Sequence, residues 1–594
     1  DGEYSMLPEE KLLFASAFGM GILSVLMFLL ASVHLYNKVS AICLMGCVAI
    51  LGRKTWRPLV NSLKERCLGL RLSARSLPLI LSVAIALCFA LLPTVNYDAL
   101  EYHLGAQSEY IRNGGFCLLP FNVYSNFPMG VEMLYGLGLL FGGDGVPQVL
   151  HCLFALLTAA TVSCAVRRLS KTAADVFSPL AFLATPLVML SCGQANIDLA
   201  LAFYSSLVVL ALILFPFPLN RQQSLFIGLL CGLSLAAKYT AVVQICFPAA
   251  LALTIRTVKT RSPNNKSLMI KNALFFGSGV LVPFLPWAAK NLVLQGNPFF
   301  PLAYEWFGAK FWSHEAYALF QNAHASRLHG GILQWFSALG TNLLDLVAGQ
   351  KNLSVFAVAL PLALLRKPSR TSSALWVYVL SSFAGWFLLT HWQDRFLLPL
   401  VPACVVLAME AFHTTASLTL KSLLRICMTS LILINLWYAF AVLSQGNAFD
   451  YLTEKTDLHE WRARGLPHFQ AIDFMNESLE TGRHHVLFVG EARTYGNAVR
   501  VVASTVFDRS PFLETTQEYV TAHDKVQALR NAEFTHLLYN GYEIKRLHDT
   551  YAPYGWRMAP AIESTMREIA PLLKEVFHAG HPGLEGVSVY ELSR

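Results

Sequence analysis

Long apolar runs, each close to the roughly 20 residues that cross a bilayer as a helix, recur from near residue 12 to near residue 443 of this 594-residue chain. In lipid every backbone polar group must be satisfied within the segment, and a helix does this. The expected fold class is therefore an α-helical polytopic membrane protein. Candidate spans fall at 12–34, 39–52, 77–93, 146–166, 176–193, 196–215, 224–237, 239–255, 273–289, 353–365, 373–390, 396–412 and 424–443, about thirteen in all. The first is too long and too weakly preceded by basic residues for a cleaved signal peptide, and reads as a span. Only 14% of residues are charged, against about 25% in soluble proteins, which excludes a soluble cytosolic enzyme. The net charge of +8 sits in short loops and forms no extended basic patch, which argues against nucleic acid as a partner.

Those loops orient the chain. Lys and Arg concentrate in short cytoplasmic loops, and the segment 53–76 holds Arg53, Lys54, Arg57, Lys64, Arg66, Arg71 and Arg75 against the single acid Glu65. Further basic loops carry Arg167, Arg168 and Lys171; Arg221; Arg256, Lys259, Arg261, Lys266 and Lys271; Arg366, Lys367 and Arg370; and Lys421 and Arg425. They alternate with the spans if 128–143, with its glycines and Glu132, lies along the outer face. Three regions then face outward: a loop at 94–145, a loop at 290–352, and the tail after 444. The chain divides as 1–76 (two extra N-terminal spans and a basic loop), 77–445 (a membrane core) and 446–594 (an extracytoplasmic α/β domain). In the last part, helical patterns at 469–480, 515–532 and 563–577 alternate with β-type runs at 485–489, 499–507, 535–539 and 586–592. No cysteine follows Cys427, so no internal disulfide holds the tail.

This topology, drawn from Lys and Arg alone, gathers the unusual polar residues at one membrane face. The first outer loop opens with Asn96, Tyr97, Asp98, Glu101 and His103. On a helix Asp98 and Glu101 share a face; they would serve as a general base or as ligands for a divalent cation, or else form a helix cap. Asp198 stands at an outer turn, where an acid entering an apolar helix marks function or an N-cap. Lys238 lies midway along an apolar stretch and would either snorkel to headgroups or hold a phosphate. Lys290 and Asn291 follow the span at 273–289. Arg395 suits bidentate phosphate binding, or an interfacial pair with Asp394. His324 and His329 lie in the second outer loop with Arg327, where they would line a cleft. The histidines make no metal site by spacing, and the Gly490-Glu491 turn lacks the companion glycines of a nucleotide-binding loop.

The order of these features resembles the C-type (GT-C) glycosyltransferase superfamily, within it the protein O-mannosyltransferase and aminoarabinose transferase-like branch. It comprises an acid after an early span, an outer segment Asn126-Phe127-Pro128-Met129-Gly130-Val131-Glu132, a second outer acid, a buried-turn lysine, a Trp287-x-x-Lys290-Asn291 to Gly296-Asn297-Pro298 stretch and a late Arg395-Phe396-Leu397-Leu398-Pro399, spread over 77–445. The resemblance implies an inverting transferase in the inner or plasma membrane. It would move a sugar from a polyprenyl-phosphate-linked donor to a protein, lipid or glycan acceptor at the extracytoplasmic face. It implies Asp98 as catalytic acid with Glu101 close behind; Lys238 and Arg395, then Lys290, on the donor phosphate; and Asp198, Tyr97, His103, Glu132 and Asn291 toward the acceptor or cavity. Two spans precede the one leading into Asp98, where the family usually has its catalytic loop after the first, and the Asp-x-x-Glu spacing leaves the requirement for a divalent cation open. Two other readings are a transporter or flippase of a lipid-linked or polar solute, and a non-catalytic subunit of a membrane complex. Transporters usually show repeated halves and midplane charges, and neither is visible here.

Overall fold

The computed structural model describes residues 6–68, 76–173, 175–258, 265–325, 332–348 and 354–592. Five helices are long and apolar enough to cross a membrane: Pro8–Ser32, Val146–Ser170, Ser267–Gln295, Arg370–Leu389 and Leu418–Gln445. Shorter apolar helices, among them Leu77–Ala90, Asp198–Leu214 and Val401–His413, fill the bundle between them. The chain is a multi-pass helical membrane protein. At its centre lies Asp198–Leu214, in which every residue except Ile213 is buried. Such a helix needs apolar residues on all sides. The peripheral helix Leu418–Gln445 instead turns Leu433, Ile434, Trp437 and Phe440 outward, as a lipid-facing surface requires.

Several segments depart from the sequence expectation. The helix Lys38–Leu68 runs on through the basic segment expected to be a loop from residue 53; Arg71 and Arg75 lie outside the described residues. The expected span at 176–193 is two seven-residue helices, Phe177–Leu183 and Pro186–Cys192. Pro186 disfavours helical backbone at the residue before it, and Thr185 is extended, with ψ 124°. The segment 128–143 holds the helix Glu132–Phe141, its Glu132 buried.

After residue 445 the chain builds a five-stranded sheet from β1 (His485–Val489), β2 (Arg500–Val502), β3 (His536–Asn540), β4 (Lys574–Ala579) and β5 (Val587–Glu591), in the order β2-β1-β3-β5-β4. β1 pairs in parallel with β2 and β3, while β5 runs antiparallel to β3 and β4. The helical pattern expected over 563–577 ends at Ile569, and Lys574–Ala579 forms the edge strand, whose exposed Lys574 and Glu575 suit a strand that must not pair further.

This sheet region is latched onto both long loops of the helical part. Asp508 accepts the Val123 N–H at 2.9 Å, and Thr505 N–H donates to the Phe121 carbonyl at 3.0 Å. The Trp312 indole donates to the Phe507 carbonyl at 2.9 Å. Arg462 pairs with Asp144 at 2.6 Å, and the Tyr495 hydroxyl donates to the same carboxylate.

Candidate functional site

Four charged side chains from four separate segments form one alternating chain. Arg395, in the turn Asp394–Leu397, pairs with Asp98, and its Nε lies 3.8 Å from Oδ2 of Asp198. The other oxygen of Asp198 accepts Lys238 Nζ at 2.8 Å. Lys238 also sits 3.8 Å above the Phe396 ring, a cation–π contact strengthened where water is scarce. Asp198 is 2% exposed, whereas Asp98 and Arg395 keep 29% and 21% of their side chains open. The Asp98–Arg395 end therefore faces free space and the Asp198–Lys238 end is anchored below it.

The alternatives left open by spacing find other owners. Asn96, not Asp98, caps the first turn of its helix, its Oδ1 accepting the Ala99 N–H at 3.1 Å. The start of Asp198–Leu214 is capped by His151, whose Nε2 takes the Leu199 N–H at 3.0 Å. Arg395 turns to Asp98 and Asp198, and Lys238 does not run outward but ends on Asp198.

Local backbone irregularity places these groups. Residues Ala99–His103 and Val242–Cys246 are π-helical turns, a feature that recurs at functional sites because the extra residue per turn re-aims neighbouring side chains. In the second of them, Gln244 donates to the Phe396 carbonyl at 2.7 Å and its own carbonyl accepts the Ser382 hydroxyl at 2.8 Å. The arginine-bearing turn is thus tied to two helices. Gly130 brings the first outer loop onto the lysine turn: its N–H bonds the Ala236 carbonyl at 2.8 Å, and a Cβ there would stand 2.8 Å from the same oxygen.

The two acids of the first loop are not equivalent. Partial burial raises the Asp98 carboxyl, but Arg395 beside it outweighs that and holds it below the usual carboxylate range. Glu101 is 3% exposed and makes no ion pair among the described residues. Its burial and the nearby negative charge of Asp98, then of Asp508, Glu543 and Glu491, push it well above that range. Aromatic rings line the neighbourhood: His391 lies 5.0 Å from both Phe396 and His324, His324 stacks on Phe320 at 4.0 Å, and Tyr102 stacks on Tyr124 at 4.9 Å. Burial depresses His391 to about 3, so it is a neutral ring. His329 and Arg327 lie outside the described residues.

The remaining expected residues sit around this centre rather than in it. His103 Nδ1 and Glu132 Oε1 meet at 2.7 Å in a buried pair bridging two outer segments. Lys290 lies apart from the charge chain: its Nζ donates to the Ser125 carbonyl at 2.8 Å among the rings of Tyr110, Phe116 and Trp287. Asn291 donates to the Asn126 carbonyl at 2.7 Å. Both brace the outer loop from beneath. Tyr97 is held between two guanidinium groups of the sheet region, Arg493 at 4.9 Å and Arg546 at 4.8 Å from its ring centre. Arg493 is bound by Glu491 at 2.6 Å, Arg546 by Glu543 at 2.9 Å, and Asn540 adds a bond to Glu491 at 2.8 Å. The Gly490-Glu491 turn is committed to this clamp. His391, Gln244, Arg493 and Arg546 were not singled out by sequence reasoning, since nothing local in the chain marks such long-range contacts.

Among the described residues no group of three or more His, Cys, Asp and Glu converges as a metal site. The carboxylate that would lead a divalent-cation site, Asp98, already faces a guanidinium, so these donors do not fit a cation cage.

No family model matches the chain, and no curated protein matches it. Among solved structures, ArnT from Cupriavidus metallidurans bound to undecaprenyl phosphate superposes over 88% of this chain and 99% of its own, at a TM-score of 0.53 and 15% identity. The chain has the GT-C fold. ArnT in its apo state gives a TM-score of 0.55 over the same shares. An archaeal oligosaccharyltransferase from Archaeoglobus fulgidus, tethered with an acceptor peptide, covers 88% of this chain and 74% of its own at 13% identity and a TM-score of 0.48. The part of the chain left outside the ArnT superposition is smaller than the region after residue 445, so that region belongs at least in part to the shared GT-C architecture.

Proposed function

We propose that the protein is an inverting glycosyltransferase that moves a sugar from a polyprenyl-phosphate carrier to an acceptor at the extracytoplasmic membrane face. The observation that carries this reading is the convergence of Asp98, Arg395, Asp198 and Lys238 on one partly open site. The ArnT fold supports it, because the ArnT structure was solved bound to undecaprenyl phosphate. The Lys and Arg distribution supports the sidedness, since the basic loops fall at the other ends of the helices.

In the mechanism we assign, the donor phosphate displaces Asp98 from Arg395 and is held by Arg395, with Lys238 beneath. The acceptor atom attacks the anomeric carbon while the bond from that carbon to the phosphate oxygen breaks. Asp98, freed from its guanidinium, takes the acceptor proton. The leaving carrier phosphate gains a negative charge, and fixed cations that need no reorganisation stabilise it as it develops. Asp198 keeps both cations aimed. Glu101, its proton retained more readily, serves the acceptor side. His103 with Glu132, and Lys290 with Asn291, hold the outer segments in place. No divalent cation is assigned a role. The domain division at residues 76 and 445 is part of the same proposal, with the tail clamping the catalytic loop.

The test is transfer from a defined polyprenyl-phosphate sugar by purified protein in lipid. Asp98→Asn, folded normally by thermal melt, should lose at least about a hundred-fold in rate. Full transfer by both Asp98→Asn and Glu101→Gln would remove the acid–base assignment.

A further inference from the structure

At the opposite end of the bundle a cavity of about 340 Å³ opens between the start of Arg370–Leu389 and the end of Val401–His413. The first of these helices has 20 residues, so it is about 30 Å long, one hydrocarbon thickness, and it ends just before the turn that carries Arg395. The cavity is thus about a membrane's width from the Asp98 site.

Its walls carry charge of both signs at separate places. On one side Glu410 accepts the Ser372 hydroxyl at 2.9 and 2.8 Å and, among the described residues, makes no ion pair. Beside it the Arg366 guanidinium donates to the Ala411 and Thr414 carbonyls, at 3.1 and 2.6 Å, closing the C-terminal end of that helix; most of its donors are taken. On the other side stand exposed Lys367, unpaired among the described residues, and the first turn of Arg370–Leu389, where Ser369 takes only the Ser372 N–H. Free N–H groups and a positive dipole end favour a phosphoryl group there. Trp376 closes the floor. Leu364 and Leu365, just before Arg366, are 64% and 85% exposed, which provides an apolar path leading away from the cavity mouth.

We propose that this cavity holds a zwitterionic phosphoethanolamine headgroup, its phosphate at Lys367 and the helix start and its primary ammonium at Glu410, presented by a phospholipid whose chains follow the exposed leucines. The soluble headgroup has the same chemistry. The leucines favour the lipid.

The full-length protein, purified and reconstituted in nanodiscs, tests this by lipid retention in native mass spectrometry. The probes are phosphatidylethanolamine, phosphatidylcholine and phosphatidylglycerol with identical chains. Phosphatidylethanolamine should be retained about tenfold over the other two, the size of one charge-assisted hydrogen bond. Glu410→Gln should erase its advantage over phosphatidylcholine, which lacks ammonium N–H donors. Lys367→Ala, at an exposed position that folding does not need, should weaken both of these lipids several-fold. Equal retention of the three lipids, or a preference surviving both substitutions, overturns the proposal. Displacement of the lipid by millimolar glycerophosphoethanolamine would overturn the lipid as the source of the headgroup, and resistance to it supports the lipid.

Discussion

The guanidinium of Arg395 pairs with the carboxylate of Asp98, 297 positions earlier in the chain. A lysine has a single ammonium and cannot span from Asp98 to Asp198 as a planar fork does. Arg395→Lys should therefore leave a folded protein with transfer reduced by about a hundred- to thousand-fold, the loss typical of one preorganised electrostatic contact. Initial rates at saturating donor check this, and an unimpaired variant would take Arg395 out of the reaction.

Lys238 and Asp198 should separate binding from folding. Lys238→Ala removes a cation from the donor site and is expected chiefly to raise the KM for the donor. Asp198→Asn leaves Lys238 buried without its counter-charge, a change that costs about 3–5 kcal/mol when a buried pair is broken. Its signature should be a lowered Tm with donor KM and Tm moving together. Thermal melts and donor titrations distinguish the two.

Tyr97 links the sheet region to the base. Its ring lies between Arg493 and Arg546, and the next residue is Asp98. Tyr97→Phe keeps the ring and should retain most of the activity. Tyr97→Ala should lower kcat by about tenfold, since a displaced catalytic group loses its near-attack geometry, with donor KM little changed. A fall in both parameters alike would show that the clamp acts on binding and not on Asp98.

The latch between the tail and the first loop should depend on pH. Burial raises Asp508 to about 7, above an unfolded value near 3.9. A raised folded pKa means stability that is fully present below about pH 4 and is lost as pH rises through about 7. Glu491 works in the opposite sense: the Arg493 guanidinium outweighs burial and lowers it to about 2, so its contribution is present above about pH 4.5 and fades as pH falls toward 2. Hydrogen exchange at the Val123 amide should therefore quicken between pH 5 and 7 beyond the intrinsic rate, and Asp508→Asn should abolish that excess.

Much of this architecture was legible in the chain because membrane physics writes coarse signals: apolar length for spans, Lys and Arg for orientation. Those signals placed Asp98, Asp198, Lys238 and Arg395 at one end of the bundle, where the structure brings them together. They carried no information on partners. Which cation meets which acid depends on the close approach at Gly130 and on two π-helical turns, neither of which has a periodic signature. The same limit explains Lys290, since a lysine at the end of an apolar helix looks alike whether it faces a cavity or the underside of a loop. Pro186 did carry the signal for the break in 176–193, but a count of apolar residues overrides it. The edge strand Lys574–Ala579 was absorbed into the helical pattern before it.

The alternation of Asp98, Arg395, Asp198 and Lys238 makes the resting site electrically balanced, each cation holding a carboxylate where a phosphate would sit. A donor carrying one negative charge must compete with that internal occupant, whereas the spent carrier, with its additional charge, competes better. Turnover would then be governed by how readily the used lipid departs, and accumulated carrier would slow the protein more than scarcity of sugar donor does.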